Sequence, residues 1–545
     1  MEYECFRLTK RFREIVRDVE MKRPVPSDSM SPADAAFLYL ERKEIPLHIA
    51  SVCVFDGPIP FQEFVASISA KLHRVPRYLQ IPVVPAWSLG FPTWEYDPRF
   101  DIRRHIFQAR VEPPGGDAEL QALAGRIFSQ VMDRSKPLWD MHVVDGLKGG
   151  RGAIILRVHH AVADGISGME IMKVMLDSTP DATYGVPAPR LKVRRRRKIA
   201  QRSLAEEVLN TVNTTLGGLF AFEAGLLGFA EAFLHGKGQS DVKGLLNVLP
   251  EFAASVERLP FNKPCSEERK FCWTEFSIQD VQAAREAAGG TINDVILAVL
   301  TRALARYVKL HGESVVNRYV RIVCPVNLRP NGRNDDLGNQ ISFLPVALPM
   351  DAHGPIRMLQ AVAARTEAMK RSGAAGLVGL LAKWIAAAPP PLQALFWRGI
   401  PDVIFPVPLF NLICTNVVGS PTPLYAVGRR MLAAYPQVPT GYDLGVGCAV
   451  HSYEGKLFFG LIADAQAAPD VDRLRDFLDL SFDELRRSAA TKKVRGAGKT
   501  RRATSAAQEQ EQAEPAQATV AESANTEIPM ANAPAAPAVH VQEAA

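Results

Sequence analysis

Two adjacent histidines, His159 and His160, head the run His159-His160-Ala161-Val162-Ala163-Asp164-Gly165. Imidazole exchanges protons near neutral pH, so a histidine held beside a hydroxyl can take its proton as the oxygen attacks a carbonyl. Neighbouring residues on a strand point to opposite faces, so one of the pair faces the interior and the other an opposite face or a cleft. The spacing does not suit a helical zinc pair, which wants i, i+4. No GxSxG elbow occurs, so nothing in the chain announces a serine nucleophile. Spacing alone leaves open the plainer reading, a surface or core pair with no chemistry.

The elements around the pair are those a general base needs. Residues 152–158 are mostly apolar and follow Gly149-Gly150, which predicts a buried strand. Asp164-Gly165 reads as a tight turn in which glycine accepts positive φ. Beyond it Ile166, Met169, Met172 and Met175 recur every third residue, a short helix over 166–176. Strand, turn and helix thus expose an imidazole at the edge of a rigid sheet. Further strands are predicted over 49–55, 139–144, 271–276, 319–326, 341–348, 412–418, 445–451 and 456–463. Helices are predicted over 61–72, 117–132, 278–288, from Thr291 to 308, and over 471–487. Alternation of this kind predicts an α/β layered protein.

Composition narrows the class. Of 545 residues, 47% are hydrophobic and 22% charged, ordinary for a folded protein, and a net charge of +6 is too small at this length to argue for nucleic acid. Seven cysteines without a CxxC pair suit reduced thiols and a cytosolic compartment better than a disulfide framework or a zinc site. The first residues lack a signal peptide's basic and apolar regions, and no uncharged apolar run reaches 18 residues.

Five segments follow: an N-terminal extension over 1–30, a first lobe over 31–180, a linker over 181–265, a second lobe over 266–490 and a disordered tail over 491–545. The linker carries the basic run Lys192-Val193-Arg194-Arg195-Arg196-Arg197-Lys198 and then Leu219, Phe222, Leu226, Phe229 and Phe233 on one helical stripe. That stripe packs either on a membrane surface or on protein. Residues 377–385 and 392–397 flank three prolines and form a second candidate membrane face. The tail's Ala/Gln/Glu/Pro bias leaves too little apolar surface to form a core.

The run from His159 to Gly165 is similar to the HHxxxDG signature of CoA-dependent acyltransferases. More narrowly the chain resembles the bacterial wax ester synthase/acyl-CoA:diacylglycerol acyltransferase family. Supporting matches are Ser31-Pro32-Ala33-Asp34-Ala35-Ala36-Phe37, Pro137-Leu138-Trp139, the Asn293-Asp294 segment, Pro325-Val326-Asn327-Leu328-Arg329, Gly338-Asn339-Gln340-Ile341-Ser342 and Asn416-Val417-Val418-Gly419, in the family's order. The resemblance implies two α/β lobes with mixed sheets and the active site between them. It implies a long-chain acyl-CoA as donor, a substrate and not a resident cofactor, and diacylglycerol or a fatty alcohol as acceptor. His160 maps to the family's base, His159 and Asp164 with Gly165 to the supporting geometry, and no metal is required. Asn293 is the candidate oxyanion donor. Pro137, Leu138 and Trp139 are expected to shape the substrate channel, although core packing is the plainer role for Trp139. Asp294 is a substrate-side candidate whose alternative is a helix cap. The expected location is cytoplasmic, peripheral to the inner face of a membrane or to lipid droplets. Rival readings are acylation of another hydroxyl lipid, or a non-catalytic lipid-body protein.

Overall fold

The structure, a computed structural model, describes residues 29–88, 90–181, 256–327, 341–372, 388–403 and 410–512. The linker stripe from Leu219 to Phe233, the N-terminal extension up to residue 28, residues 377–385 and most of the tail lie outside the described residues.

Ser31 starts the first helix, α1 (Pro32–Leu40). Its Oγ accepts from the Asp34 N–H at 3.0 Å, and Pro32 supplies a preset φ at the first helical position. There follow β1 (His48–Phe55), α2 (Phe61–Lys71), a hairpin of β2 (Gln80–Val83) and β3 (Thr93–Tyr96), then β4 (Ile106–Arg110) and α3 (Asp117–Phe128). The His-bearing part is β5 (Trp139–Asp145), β6 (Gly152–His159) and α4 (Gly165–Met175), close to the predicted strand, strand and helix.

The second half opens with β7 (Arg269–Ser277), α5 (Ile278–Ala288) and α6 (Ile292–Leu310). Gly289, at φ 87°, ends α5 in a conformation that favours glycine. It continues through β8 (Tyr319–Asn327), β9 (Ile341–Pro349), α7 (Pro355–Arg371), α8 (Pro390–Val403), β10 (Leu412–Val418), β11 (Tyr425–Ala426), β12 (Arg429–Gln437), β13 (Val446–Tyr453), β14 (Lys456–Asp464) and α9 (Val471–Gln512). Helix α9 runs past Lys492, where composition predicts a tail. Its Ala, Gln, Glu, Lys and Arg are good helix formers by intrinsic propensity.

Two six-stranded mixed sheets result. The second runs β7-β14-β13-β10-β8-β9, and the first runs β11-β12-β1-β6-β5-β4. Each has its own apolar core. Strand β12, with no counterpart among the predicted strands, belongs to the second half of the chain yet pairs antiparallel with β1 in the first sheet. Where β12 passes β14, a Cβ on Gly460 would lie 1.8 Å from the Pro436 carbonyl oxygen, so only glycine permits the crossing. The lobes are also joined at Arg269. Its guanidinium pairs with Asp464 at 2.9 Å and donates to the Glu44 and Thr440 carbonyls, while its N–H donates to Ser129 Oγ at 2.9 Å. Among the described residues no single helix is long and apolar enough to cross a membrane.

Candidate active site

Strand β6 ends at His159, and the chain then turns so that the two histidines part. His159 is fully buried. Its Nδ1 accepts the Ala161 N–H at 3.0 Å, which leaves Nε2 as the ring's donor. Nε2 lies 3.2 Å from Glu41 Oε1, at ion-pair distance though not in aligned hydrogen-bond geometry. Glu41, the residue after α1, also accepts from the Leu47 N–H at 3.1 Å and meets Arg134 at 3.1 Å. Burial alone would raise its carboxyl, but the His159 ring, the Leu47 N–H and Arg134 outweigh it and hold the group down at about 2. The main chain is fixed too, since the His159 N–H donates to the Leu138 carbonyl at 3.0 Å and the His160 N–H to the Leu47 carbonyl at 2.8 Å.

His160 faces the other way. It lines a cavity of about 390 Å³ between the lobes, walled by residues such as Leu47, Met169, Met172, Ile413 and Val438. Its ring stacks on Phe37 from α1, centroids 4.1 Å apart and planes at 12°. The opening motif therefore has a physical role at this site, because α1 carries Phe37 and delivers Glu41.

Asp164 and Gly165 act differently from a left-handed turn. Asp164 is the N-cap of α4, its Oδ1 accepting the Ser167 N–H at 2.7 Å, and Gly165 is the first helical residue, outside the positive-φ glycines. Glycine fits there for closeness: a Cβ would lie 3.2 Å from Val417 Cγ2 on β10 of the other lobe, tight enough that Val417 would have to give way. The cap fixes where α4 begins and so how the histidine turn ends.

Beneath the pair, Arg157 and Asp140 face each other across β6 and β5 and form a two-pronged buried pair, Nε to Oδ1 at 2.9 Å and Nη2 to Oδ2 at 2.6 Å. Trp139 is core: its ring lies between Tyr78 and His105, at 4.6 and 4.5 Å, and its Nε1 donates to the Tyr78 carbonyl at 2.8 Å. Leu138 is buried, and Pro137 and Trp139 border a separate hollow rather than the His160 cavity. The three position β5 and, through the Leu138 carbonyl, His159.

The Asn293-Asp294 segment opens α6. Asp294 forms a reciprocal cap with Thr291, accepting from its N–H at 2.7 Å and its Oγ1 at 2.8 Å, and Oδ1 accepts from Thr366 at 2.6 Å. Asn293 is half-buried in the same turn, and neither residue is among those lining the His160 cavity. The structure therefore gathers His159, His160, Asp164 and Gly165 at one site and sets Trp139, Asn293 and Asp294 apart from its lining. None of the described cysteines lines the cavity, and burial pushes the thiols of Cys53 and Cys265 up to about 11 and about 12, far from a nucleophilic thiolate. Among the described residues no group of three or more His, Cys, Asp or Glu side chains stands where it could hold a metal ion.

Two α/β lobes enclose an apolar cavity lined by His160 and His451, and comparison with known proteins identifies the class to which this architecture belongs. The chain belongs to the wax ester synthase/diacylglycerol acyltransferase family: the model of that family's catalytic domain matches residues 30–296, and that of its C-terminal domain matches residues 337–486. It is similar to the probable diacylglycerol O-acyltransferases tgs2 and tgs1 of Mycobacterium tuberculosis. Each is 28% identical to it, over 84% of this chain and 98% of the relative for tgs2, and over 82% and 93% for tgs1. Among solved structures, the wax ester synthase/diacylglycerol acyltransferase of Marinobacter aquaeolei VT8 shares the fold, with a TM-score of 0.60 at 22% identity over 85% of this chain and 99% of that one. The starter condensation domain of rhizomide synthetase, solved with C8-CoA, superposes at TM-score 0.51 and 14% identity, over 84% and 94%.

Proposed function

We propose that this acyltransferase moves a long-chain acyl group from acyl-CoA to diacylglycerol, and to fatty alcohols, with His160 as general base. The observation that carries the assignment is His160 itself, stacked on Phe37 in the wall of an apolar inter-lobe cavity. The imidazole takes the acceptor's hydroxyl proton as the oxygen bonds to the thioester carbon. The tetrahedral intermediate then expels CoA as its thiolate, which receives the proton back from the imidazolium. His159 and Glu41 orient the turn from below, Asp164 caps α4, and acyl-CoA enters as substrate. The mycobacterial relatives' names support diacylglycerol as an acceptor, and the Marinobacter enzyme's name supports fatty alcohols.

Replacing His160 with Ala tests the role. Turnover in a thiol-release assay with palmitoyl-CoA and dioleoylglycerol should fall by roughly two to four orders of magnitude, the usual worth of a positioned proton acceptor, at an unchanged melting temperature. Near-wild-type esterification by the folded variant would end the assignment.

The same reading places the protein at a lipid surface. Trp87, in the β2–β3 loop, is 89% exposed, and Leu392, Leu395 and Phe396 are exposed on α8, which packs against both that loop and α1. Vesicles of phosphatidylcholine and phosphatidylglycerol should float the wild type better than a Trp87→Ser/Leu395→Asp double variant. Equal flotation would remove this face from the reading.

A further inference from the structure

Along β13, alternate residues share one face, so Gly447, Ala449 and His451 form a row opposite Cys448 and Val450, which pack in the second core. Ala449 and His451 line the same cavity as His160. In that row a hydrogen, a methyl and an imidazole succeed one another, and the imidazole alone brings polar atoms.

His451 is 2% exposed, and its seat is built for it. A Cβ on Gly419 would stand 2.3 Å from its Cε1 and 2.5 Å from its Nε2, so the ring lies where only glycine leaves space. Nε2 is buried there without a hydrogen-bond partner among the described residues. Burial lowers the imidazole to about 4, so at neutral pH the ring is uncharged, with one N–H and one lone pair. A buried lone pair is left unpartnered more readily than a buried N–H, which assigns the lone pair to Nε2 and the proton to Nδ1.

Strand pairing also brings His451 toward the histidine turn. His451 sits beside Val417 in the parallel β10–β13 pairing, one strand spacing of about 4.8 Å away. Val417 in turn reaches the place where Gly165 would carry a Cβ. His451 is thus a near neighbour of the turn that ends the HHxxxDG run. In a 1,2-diacylglycerol the free hydroxyl and the nearest ester oxygen sit on adjacent carbons, so a group that reads that ester must stand close to the base. A fatty alcohol offers only methylenes at that distance.

We propose that His451 is a specificity-determining residue whose Nδ1–H donates to the ester carbonyl next to the acceptor hydroxyl, favouring diacylglycerol over a simple fatty alcohol. The inference rests on the acyl-transfer reading above.

The test compares kcat/KM for dioleoylglycerol and for hexadecanol, with palmitoyl-CoA as donor, in the full-length protein. His451→Leu should lower the value for dioleoylglycerol roughly tenfold or more, because a carbonyl is left unpaired in an apolar wall, and leave hexadecanol within about twofold. His451→Asn, whose amide nitrogen overlays Nδ1, should recover much of the dioleoylglycerol rate. If the leucine variant melts below the assay temperature, His451→Phe, which fills the ring's volume, reads the same ratio. Equal losses on both acceptors, or no loss on dioleoylglycerol, overturn the proposal while leaving acyl transfer intact. A wild type that esterifies neither acceptor removes the reading beneath it.

Discussion

Replacing Glu41 with Gln removes one charge from beneath the catalytic turn and keeps the side chain's shape. The carboxylate it replaces is 1% exposed, 3.2 Å from His159 and held down at about 2 from an ordinary value of 4.5. A depression of that size corresponds to about 3 kcal/mol of folding stability at neutral pH. The amide can still accept from Leu47, so a loss of roughly 2–3 kcal/mol is expected in urea unfolding at pH 7. The sign of the pH dependence follows. A carboxyl depressed in the folded state stabilises fully above about pH 5, and its contribution is lost as pH falls toward 2. Between pH 7 and pH 4 the gap between wild type and variant should therefore narrow. Turnover should fall roughly 10- to 100-fold through a shifted turn, with little change in KM for acyl-CoA. An unchanged unfolding midpoint at pH 7, or a gap that widens on acidification, would refute the account of Glu41 as the charge that holds His159.

Two further changes probe the positions around the site. Asn293→Ala should alter turnover by less than about threefold, because Asn293 is not among the residues lining the cavity. A loss of roughly 10²–10³ without loss of stability would instead make it the oxyanion donor. Its neighbour should behave oppositely: Asp294→Ala removes the carboxylate half of the Thr291 cap and leaves Thr366 only its bond to the Ala363 carbonyl, costing about 1–2 kcal/mol in thermal or urea unfolding. Gly165→Val drives a branched side chain into Val417 across the lobes and should cost turnover at least about tenfold, read against a circular-dichroism melt. Wild-type rates in that variant would show that the lobes do not need this close approach.

The catalytic turn was legible because its signals are local. An apolar run, a His pair and a three-residue Met spacing identify β6, the turn and α4 within a residue or two. The Thr291 cap was legible for the same reason. What escaped depends on tertiary distance. Nothing near Glu41 shows that it meets His159, because the contact forms only once α1 is set against the end of β6. The Asp164-Gly165 pair suggests a positive-φ glycine, whereas the constraint on Gly165 comes from Val417, far along the chain. Strand β12 was missed because Arg429 to Gln437 includes Ala433-Ala434 and Pro436, a composition that does not read as a strand. Its pairing with β1 is a long-range event with no signature in either segment.

That crossing strand has a mechanical meaning. Because β12 is hydrogen-bonded along β1 while the chain on either side of it belongs to the second half, the lobes are stitched rather than hinged. Parting them like jaws would unzip a ladder from Ala50 to Phe55, which thermal motion on a catalytic timescale does not do. A polypeptide severed between β6 and β7 would be expected to stay in one piece, its two fragments basted together by the β1–β12 ladder and the bonds of Arg269.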